Sequence, residues 1–213
     1  MNSSLCSLLG IQYPIMQGAF QWLATPELAA AVSNAGGLGT ISASLYQTKE
    51  ELTEAIARAK SLTDKPFCVN ISMFPEVVEG EKTWDFIAAC CQSQVPVVEL
   101  SGRDPKPFVE ELHGAGAKII HKSTAVRFAQ KAEAAGVDVV SVVGFESGGA
   151  PGNDDVTSMV LIPSVASAVH IPVIGGGGVC DGRSYLAMRA LGAEGVVIGT
   201  RFMATQECAI HPN

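Results

Sequence analysis

The sequence predicts an α/β protein of the (β/α)8 TIM-barrel class. Three observations carry that expectation: eight short apolar runs, amphipathic stretches alternating with them, and Gly or Pro at the joints. The runs are continuously apolar, as strands of a parallel sheet covered on both faces are. A doubly wound sheet meets the same pattern, and the count of eight favours the barrel. The unit recurs every roughly 26 residues, tighter than the ~31 of a ~250-residue barrel, so the connections must be short. A chain of 213 residues suits one domain, residues 1–213, with a substantial core.

The first strand falls in Tyr13–Phe20 and its helix in Pro26–Asn34, with Thr25 as N-cap, Pro26 at the first helical position and Asn34-Ala-Gly36 as a glycine stop. Gly37–Ala43 precedes a helix over Lys49–Ser61, and Phe67–Phe74 one over Thr83–Ser93. Val95–Ser101 leads to Pro107–His113, and Ala117–Thr124 to Val126–Ala135. Val137–Phe145 leads to Asp155–Val169 with Asp155 as N-cap, and Ile171–Val179 to Gly182–Leu191. Ala135-Gly136 and Leu191-Gly192 end their helices, while Pro66, Pro96 and Pro172 stand at strand starts, where a missing N–H is tolerated. After the eighth strand, Gly195–Phe202, only Met203–Asn213 remain, so the barrel is expected to be cut short, without its last helix. Uncovered apolar surface on that strand would favour a homo-oligomer.

Lys and Arg number 14 against 21 Asp and Glu, a net charge of −7 with no basic cluster, so nucleic acid is not an expected partner. The six cysteines form no C-x-x-C pair and lie mostly in apolar runs, which suits reduced core thiols rather than a zinc site. Met1–Ile11 has no basic leader, and no apolar run approaches the ~18–20 residues of a membrane span. A cytoplasmic protein with no membrane contact is expected.

Ligands of parallel barrels sit at the C-terminal strand ends. The seventh run ends in Gly175-Gly-Gly-Gly178, followed by Asp181 and a helix from Gly182, and the eighth in Gly199-Thr200-Arg201. Glycines admit an anion close to the backbone and helix N-termini favour phosphate, so these ends are a candidate phosphate site. A Rossmann fingerprint fails, because Gly175-x-Gly177-x-x-Cys180 has no third glycine and Gly37-x-Gly39 opens a strand. The first strand ends Ile15-Met16-Gln17-Gly18, the third near Asn70, and the sixth in Glu146-Ser147-Gly148-Gly149-Ala150-Pro151-Gly152. On the fifth, alternation puts Lys122 and Thr124 on one face and His121 with Ser123 on the other. Lys122 is suited to neutralising a phosphate or a reduced flavin, or to forming a Schiff base. His113, His121, His170 and His211 read as structural or solvated, and Glu146 with Asp154-Asp155 is not read as a metal site.

Ile15-Met16-Gln17-Gly18, Ala35-Gly36-Gly37-Leu38-Gly39, Lys118-Ile-Ile-His-Lys122, Gly144-Phe-Glu-Ser-Gly-Gly149, Gly177-Gly178 and Gly199-Thr200-Arg201-Phe202 together resemble the nitronate monooxygenase (2-nitropropane dioxygenase) family, nearly end to end. With Pro151-Gly-Asn-Asp-Asp155 and Glu207-Cys-Ala-Ile-His-Pro212, the wording is most similar to the FMN-dependent NADH:quinone reductases of that family. The resemblance implies a barrel that holds FMN non-covalently. It places Met16, Gln17 and Gly18 by the isoalloxazine, Asn70 and Lys122 at its polar edge, Gly148 and Gly149 in the cofactor loop, and Gly177, Gly178, Gly199 and Thr200 at the phosphate.

Two departures bear on activity. Where the family has a histidine after its Glu-x-Gly/Ala-Gly motif, this chain has Ala150, which can neither take nor give a proton. The family's final barrel helix and small C-terminal helical domain are also not expected from this stretch of sequence. The expected activity is hydride transfer from NADH or NADPH to FMN and on to a quinone-like acceptor. The alternatives are oxidation of anionic nitronates, a Schiff-base aldolase using Lys122, and a flavin-binding pseudoenzyme.

Overall fold

In the computed structural model, which describes residues 3–73, 80–149, 152 and 154–210, the eight predicted strands form one parallel sheet. The chain runs α1 (Ser4–Leu9), β1 (Ile15–Gln17), α2 (Pro26–Asn34), β2 (Gly39–Ser42), a 3-10 turn (Ala43–Leu45), α3 (Lys49–Leu62), β3 (Phe67–Ser72) and α4 (Gly80–Gln92). It continues through β4 (Val97–Ser101), α5 (Lys106–Gly114), β5 (Lys118–Ser123), α6 (Val126–Ala135), β6 (Val139–Val143) and α7 (Ser158–Ala166). The last elements are β7 (Val173–Gly176), α8 (Gly182–Ala190), β8 (Gly195–Ile198) and α9 (Thr200–Met203). Thr25 caps α2 through Leu28 N–H at 3.4 Å, and Pro66, Pro96 and Pro172 each immediately precede a strand.

The sheet order β1-β8-β7-β6-β5-β4-β3-β2 becomes a barrel where β1 meets β2. Met16 bridges Leu38 there, Gln17 N–H donates to the Leu38 carbonyl at 2.9 Å, and Leu38 N–H donates to Ile15 at 2.9 Å. The Gln17 side chain reinforces this seam: Oε1 accepts Thr40 N–H at 2.9 Å and Nε2 donates to the Gly18 carbonyl at 2.9 Å.

Met16, Leu38, Cys68, Val97, Ile120, Val139, Ile174 and Val197 fill the barrel as one apolar cluster. The helix α1, absent from the sequence-based expectation, closes the N-terminal end of the barrel. Ser3 Oγ accepts Cys6 N–H at 3.2 Å, Gly10 stops the helix at φ 69°, and Leu5 and Leu9 join the interior cluster. Burying each of those leucines contributes about 1.5–3 kcal/mol.

Two expectations are corrected. The outer face of β8 is not left bare: Val196 is fully buried in the main core, and Phe202, Met203 and Cys208 fold back onto Leu28 and Val32 of α2. Asp155 does not cap a helix. It takes φ 46° in the loop, and α7 begins at Ser158, where a different carboxylate meets the helix end.

Gly39 lets α2 lie on the sheet, since a Cβ there would stand 1.8 Å from the Ala29 carbonyl oxygen. Gly39→Ala is expected to cost about 1–3 kcal/mol, seen as a lower urea midpoint with an unchanged slope. An unchanged midpoint would mean that α2 moves off β2 at little cost.

Candidate active site

The C-terminal mouth of the barrel is where the glycine-rich strand ends meet. Their glycines divide into two kinds. A Cβ on Gly176 would lie 2.5 Å from Val197 Cγ1 and one on Gly177 2.4 Å from Ser158 Oγ, so packing demands glycine at both. At Gly178 the nearest atom would be 3.9 Å away, and at Gly199 nothing lies within 4 Å. Among the described residues, no acceptor meets the N–H of Gly178 or Gly199. Thr200 N–H opens α9 and has no partner within that helix. Open space beside these donors, on adjacent strand ends, makes an anion cradle that suits a phosphate.

The N-terminus of α8 is not part of it. Asp181 Oδ1 accepts Arg183 N–H at 3.0 Å and Ser184 N–H at 2.9 Å, completing a capping box. The Ser184 N–H, the Arg183 guanidinium and the Ser184 hydroxyl hold this carboxyl far below the usual carboxylate range. With the Arg183 and Ser184 N–H groups taken by that carboxylate, this helix end has fewer donors left for an anion than the sequence-based expectation gave it.

A polar cluster stands inside the mouth. Register places Asn70 beside Glu99, and Lys122 between Ser101 and Ser141. Asn70 Nδ2 donates to Glu99 Oε2 at 2.6 Å, and Lys122 Nζ lies 3.8 Å from the same oxygen. The sequence pattern points to Asn70 and Lys122 but not to Glu99. The signal for it was a lone carboxylate within the apolar run Val97-Val98-Glu99-Leu100.

Lys122 and His121 occupy opposite faces, as alternation predicts. The outward His121 meets Ser123 Oγ at 2.9 Å through Nδ1 and the Arg103 carbonyl at 3.0 Å through Nε2. Burial holds its imidazole below the ordinary value. His113 is paired with Asp138 at 2.9 Å, and His170 is exposed before β7. His211 and Ala150 lie outside the described residues. Met16 is buried in the interior cluster and Gln17 is spent on the seam, so Gly18 is the member of that trio whose backbone reaches the rim.

The loop from β6 to α7, which carries Gly148 and Gly149, is tied down by Glu146. Its carboxylate accepts Ser158 N–H at 3.1 and 2.9 Å and the Ser158 hydroxyl at 2.9 Å. Partial burial alone would raise this carboxyl, but those donors hold it below the usual range. Ser158 Oγ also reaches the Gly176 carbonyl at 2.8 Å, coupling the loop to the cradle strand. Gly148 and Gly149 meet no neighbour at the Cβ position and face open space.

Beside the mouth, a cavity of about 230 Å³ is lined by Trp22, Ser44, Tyr46, Ser72, Lys82 and Phe86, among others. Trp22 holds φ 71° and presents its indole to solvent. Burial and the nearby Glu27 push the Tyr46 phenol up to about 12, so it is a neutral hydrogen-bond donor. Among the described residues no cluster of His, Cys, Asp or Glu is arranged to hold a metal ion, and no helix is long and apolar enough to cross a membrane.

Residues 2–213 match the profile of the nitronate monooxygenase family. A Rhodococcus jostii RHA1 protein named (3aS,4S,5R,7aS)-5-hydroxy-7a-methyl-1-oxo-octahydro-1H-indene-4-carboxyl-CoA dehydrogenase is 39% identical over 210 residues, 99% of this chain and 57% of its own length. A probable nitronate monooxygenase of Staphylococcus haemolyticus is 36% identical over 246 residues, 97% of this chain and 69% of its own length. The structure of FabK from Thermotoga maritima superposes with a TM-score of 0.92 at 42% identity, covering 100% of this chain and 66% of FabK. A nitroalkane oxidase from Streptomyces ansochromogenes gives a TM-score of 0.85 at 29% identity, covering 98% of this chain and 70% of that one. The chain belongs to the nitronate monooxygenase family, and it spans 57% of the length of the Rhodococcus relative.

Glu146→Gln is expected to speed hydrogen exchange at Ser158 N–H, because an amide cannot accept through both of its polar atoms. In the unmodified chain the folded carboxyl titrates below its ordinary 4.5, so the tie is fully present above that value. It is lost as pH falls through the lowered one. Equal exchange in variant and parent would show that other contacts hold the loop.

Proposed function

We propose that this nitronate monooxygenase-family chain forms the cofactor-holding barrel of an oxidoreductase, which binds FMN without a covalent link and passes electrons from NADH or NADPH to a small quinone-like acceptor. The observation that supports this reading is the anion cradle at Gly178, Gly199 and Thr200 in the same mouth as the Lys122 ammonium. A phosphate at one side and a cation at the other suit a phosphorylated planar group that gains negative charge when reduced. When bound, FMN supplies a ring that takes up hydride and releases electrons to the acceptor.

The residues of the chain then divide the remaining tasks. Gly178, Gly199 and Thr200 bind the phosphate through backbone N–H groups, with Gly177 setting the turn. Lys122 and Asn70 present a cation and a carboxamide to the polar edge of the ring, in a site whose interior is dry enough to strengthen both. Gly18 would offer its backbone to the cofactor at the rim, where the Gln17 side chain fixes the turn, and Met16 packs in the barrel interior. Gly148 and Gly149 lie over the mouth on a loop held by Glu146. The cavity at Trp22 and Lys82 has an aromatic wall and a cation for the second substrate.

A second reading, oxidation of anionic nitronates, draws on the names of the staphylococcal and Streptomyces relatives. None of the described histidines faces the mouth, and the family's histidine position is Ala150. A nitronate needs no base, whereas a neutral nitroalkane does, so activity on the neutral form is expected to be weak or absent. The aldolase reading is less well supported, because Glu99 supplies a countercharge that suits Lys122 as an electrostatic anchor rather than a nucleophile.

The test is an absorbance spectrum of the desalted chain after incubation with FMN, followed by anaerobic NADH and NADPH. A retained band at about 450 nm, the usual oxidised-flavin position, that bleaches with one nucleotide is the expected result. Retained flavin that neither nucleotide bleaches would support the pseudoenzyme. No retained flavin, with borohydride trapping of a carbonyl substrate on Lys122, would support the aldolase. Gly199→Ala introduces a methyl group with no protein atom within 4 Å, so its melting temperature is expected to match the parent's. Its FMN affinity is expected to fall by about tenfold or more, which unchanged affinity would contradict.

A further inference from the structure

Glu99 is a buried charge that the anion cradle does not explain. It faces the interior from β4, beside Asn70 on β3, and is fully buried. Among the described residues only one of its oxygens is engaged: Oε2 takes Asn70 Nδ2 at 2.6 Å and lies 3.8 Å from Lys122 Nζ, while Oε1 has no partner. Thr40 Oγ1 and Ser141 Oγ, inward-facing and fully buried, are unpartnered too. A carboxylate taken out of water is costly unless it is paired, and an apolar residue in its place would cost less. Lys122 exposes 24% of its side chain and Asn70 keeps 4% of its surface exposed, against none of Glu99. The carboxylate therefore acts on anything in the mouth through its two neighbours.

We propose that Glu99 is a positioning residue for the flavin site: through Oε2 it fixes the Asn70 carboxamide and the Lys122 ammonium at the mouth, and its charge offsets that of Lys122. The inference rests on the flavin reading above. A ring above the mouth then meets the field of a neutral pair rather than of a bare cation, since opposite charges a few ångströms apart largely cancel at longer range. Removing the carboxylate charge should make the site more welcoming to a reduced, anionic ring, and removing the lysine less so.

Sulfite reads this field without turnover. Its sulfur lone pair adds to N5 of oxidised flavin, one N–S bond forms, nothing leaves, and the ring takes up the negative charge. In the full chain loaded with FMN, Glu99→Gln retains an acceptor for Asn70 and removes the charge. Sulfite is expected to bind at least about tenfold more tightly to this variant, with a positive shift of the flavin midpoint potential. Lys122→Met is expected to weaken sulfite binding by about tenfold and to shift the potential negative. The double variant exchanges an ion pair for a neutral pair and should return to within about threefold of the parent.

Parental sulfite affinity in Glu99→Gln, or a double variant as weak in sulfite binding as Lys122→Met alone, overturns the proposal. Glu99→Asp keeps the charge and should stay within about threefold of the parent. A shift as large as that of Gln would overturn the offsetting role. If Glu99→Gln does not fold, the double variant and Glu99→Asp decide the matter. A parent chain that retains no FMN would instead defeat the flavin reading, before any variant is made.

Discussion

Closure of the barrel between β1 and β2 is the constraint on which the rest of the molecule depends. The strand β1 has three residues, in register with β8 over its whole length but joined to β2 by the Met16–Leu38 bridge alone. The Gln17 carboxamide strengthens that seam by accepting Thr40 N–H. Closure brings the ends of all eight strands to one mouth, so Gly178 and Gly199 flank one space and Lys122 faces it. A slip of one residue on β5 would turn Lys122 outward and His121 inward, because strand side chains alternate.

The interior is apolar toward its N-terminal end, where α1 seals it, and polar toward the mouth. Thr40, Asn70, Glu99 and Ser141 are all nearly or fully buried, and three of their oxygens have no partner among the described residues. Packing alone would favour aliphatic residues there, so the polar layer costs stability that the helix-covered outer core must offset. Such a local departure from an otherwise consistent fold is the usual mark of a functional site.

Glycine serves two different ends at the same mouth. Gly144 and Gly177 are required because Ser158 lies where their Cβ atoms would be, while Gly178 and Gly199 leave backbone donors accessible. The first pair positions the β6–α7 loop through Ser158 and Glu146, and the second forms the cradle. Both kinds look alike in the sequence.

Periodicity and punctuation made most of the fold legible: the eight strands, and seven helices within a few residues of their bounds, follow from apolar runs bounded by Gly, Pro and good caps. The helix α1 leaves no periodic signal, because six residues are too few for one, although Ser3 and Gly10 carry its cap and stop. Asp155 does not cap α7 because that helix end is met by Glu146, twelve residues before Ser158. The outer face expected to be bare on β8 holds Val196 fully buried in the main core, while the chain after β8 brings Phe202 and Cys208 onto α2.

The sequence by itself determined the fold class, the family and the side of the barrel on which chemistry belongs, since those depend on local pattern and on motifs contiguous in the chain. Tertiary structure alone decided that Gln17 is spent on the seam and that Glu99 stands behind Lys122. Each of these is a contact between groups whose partnership is settled by the geometry of packing, and local propensity carries no record of it.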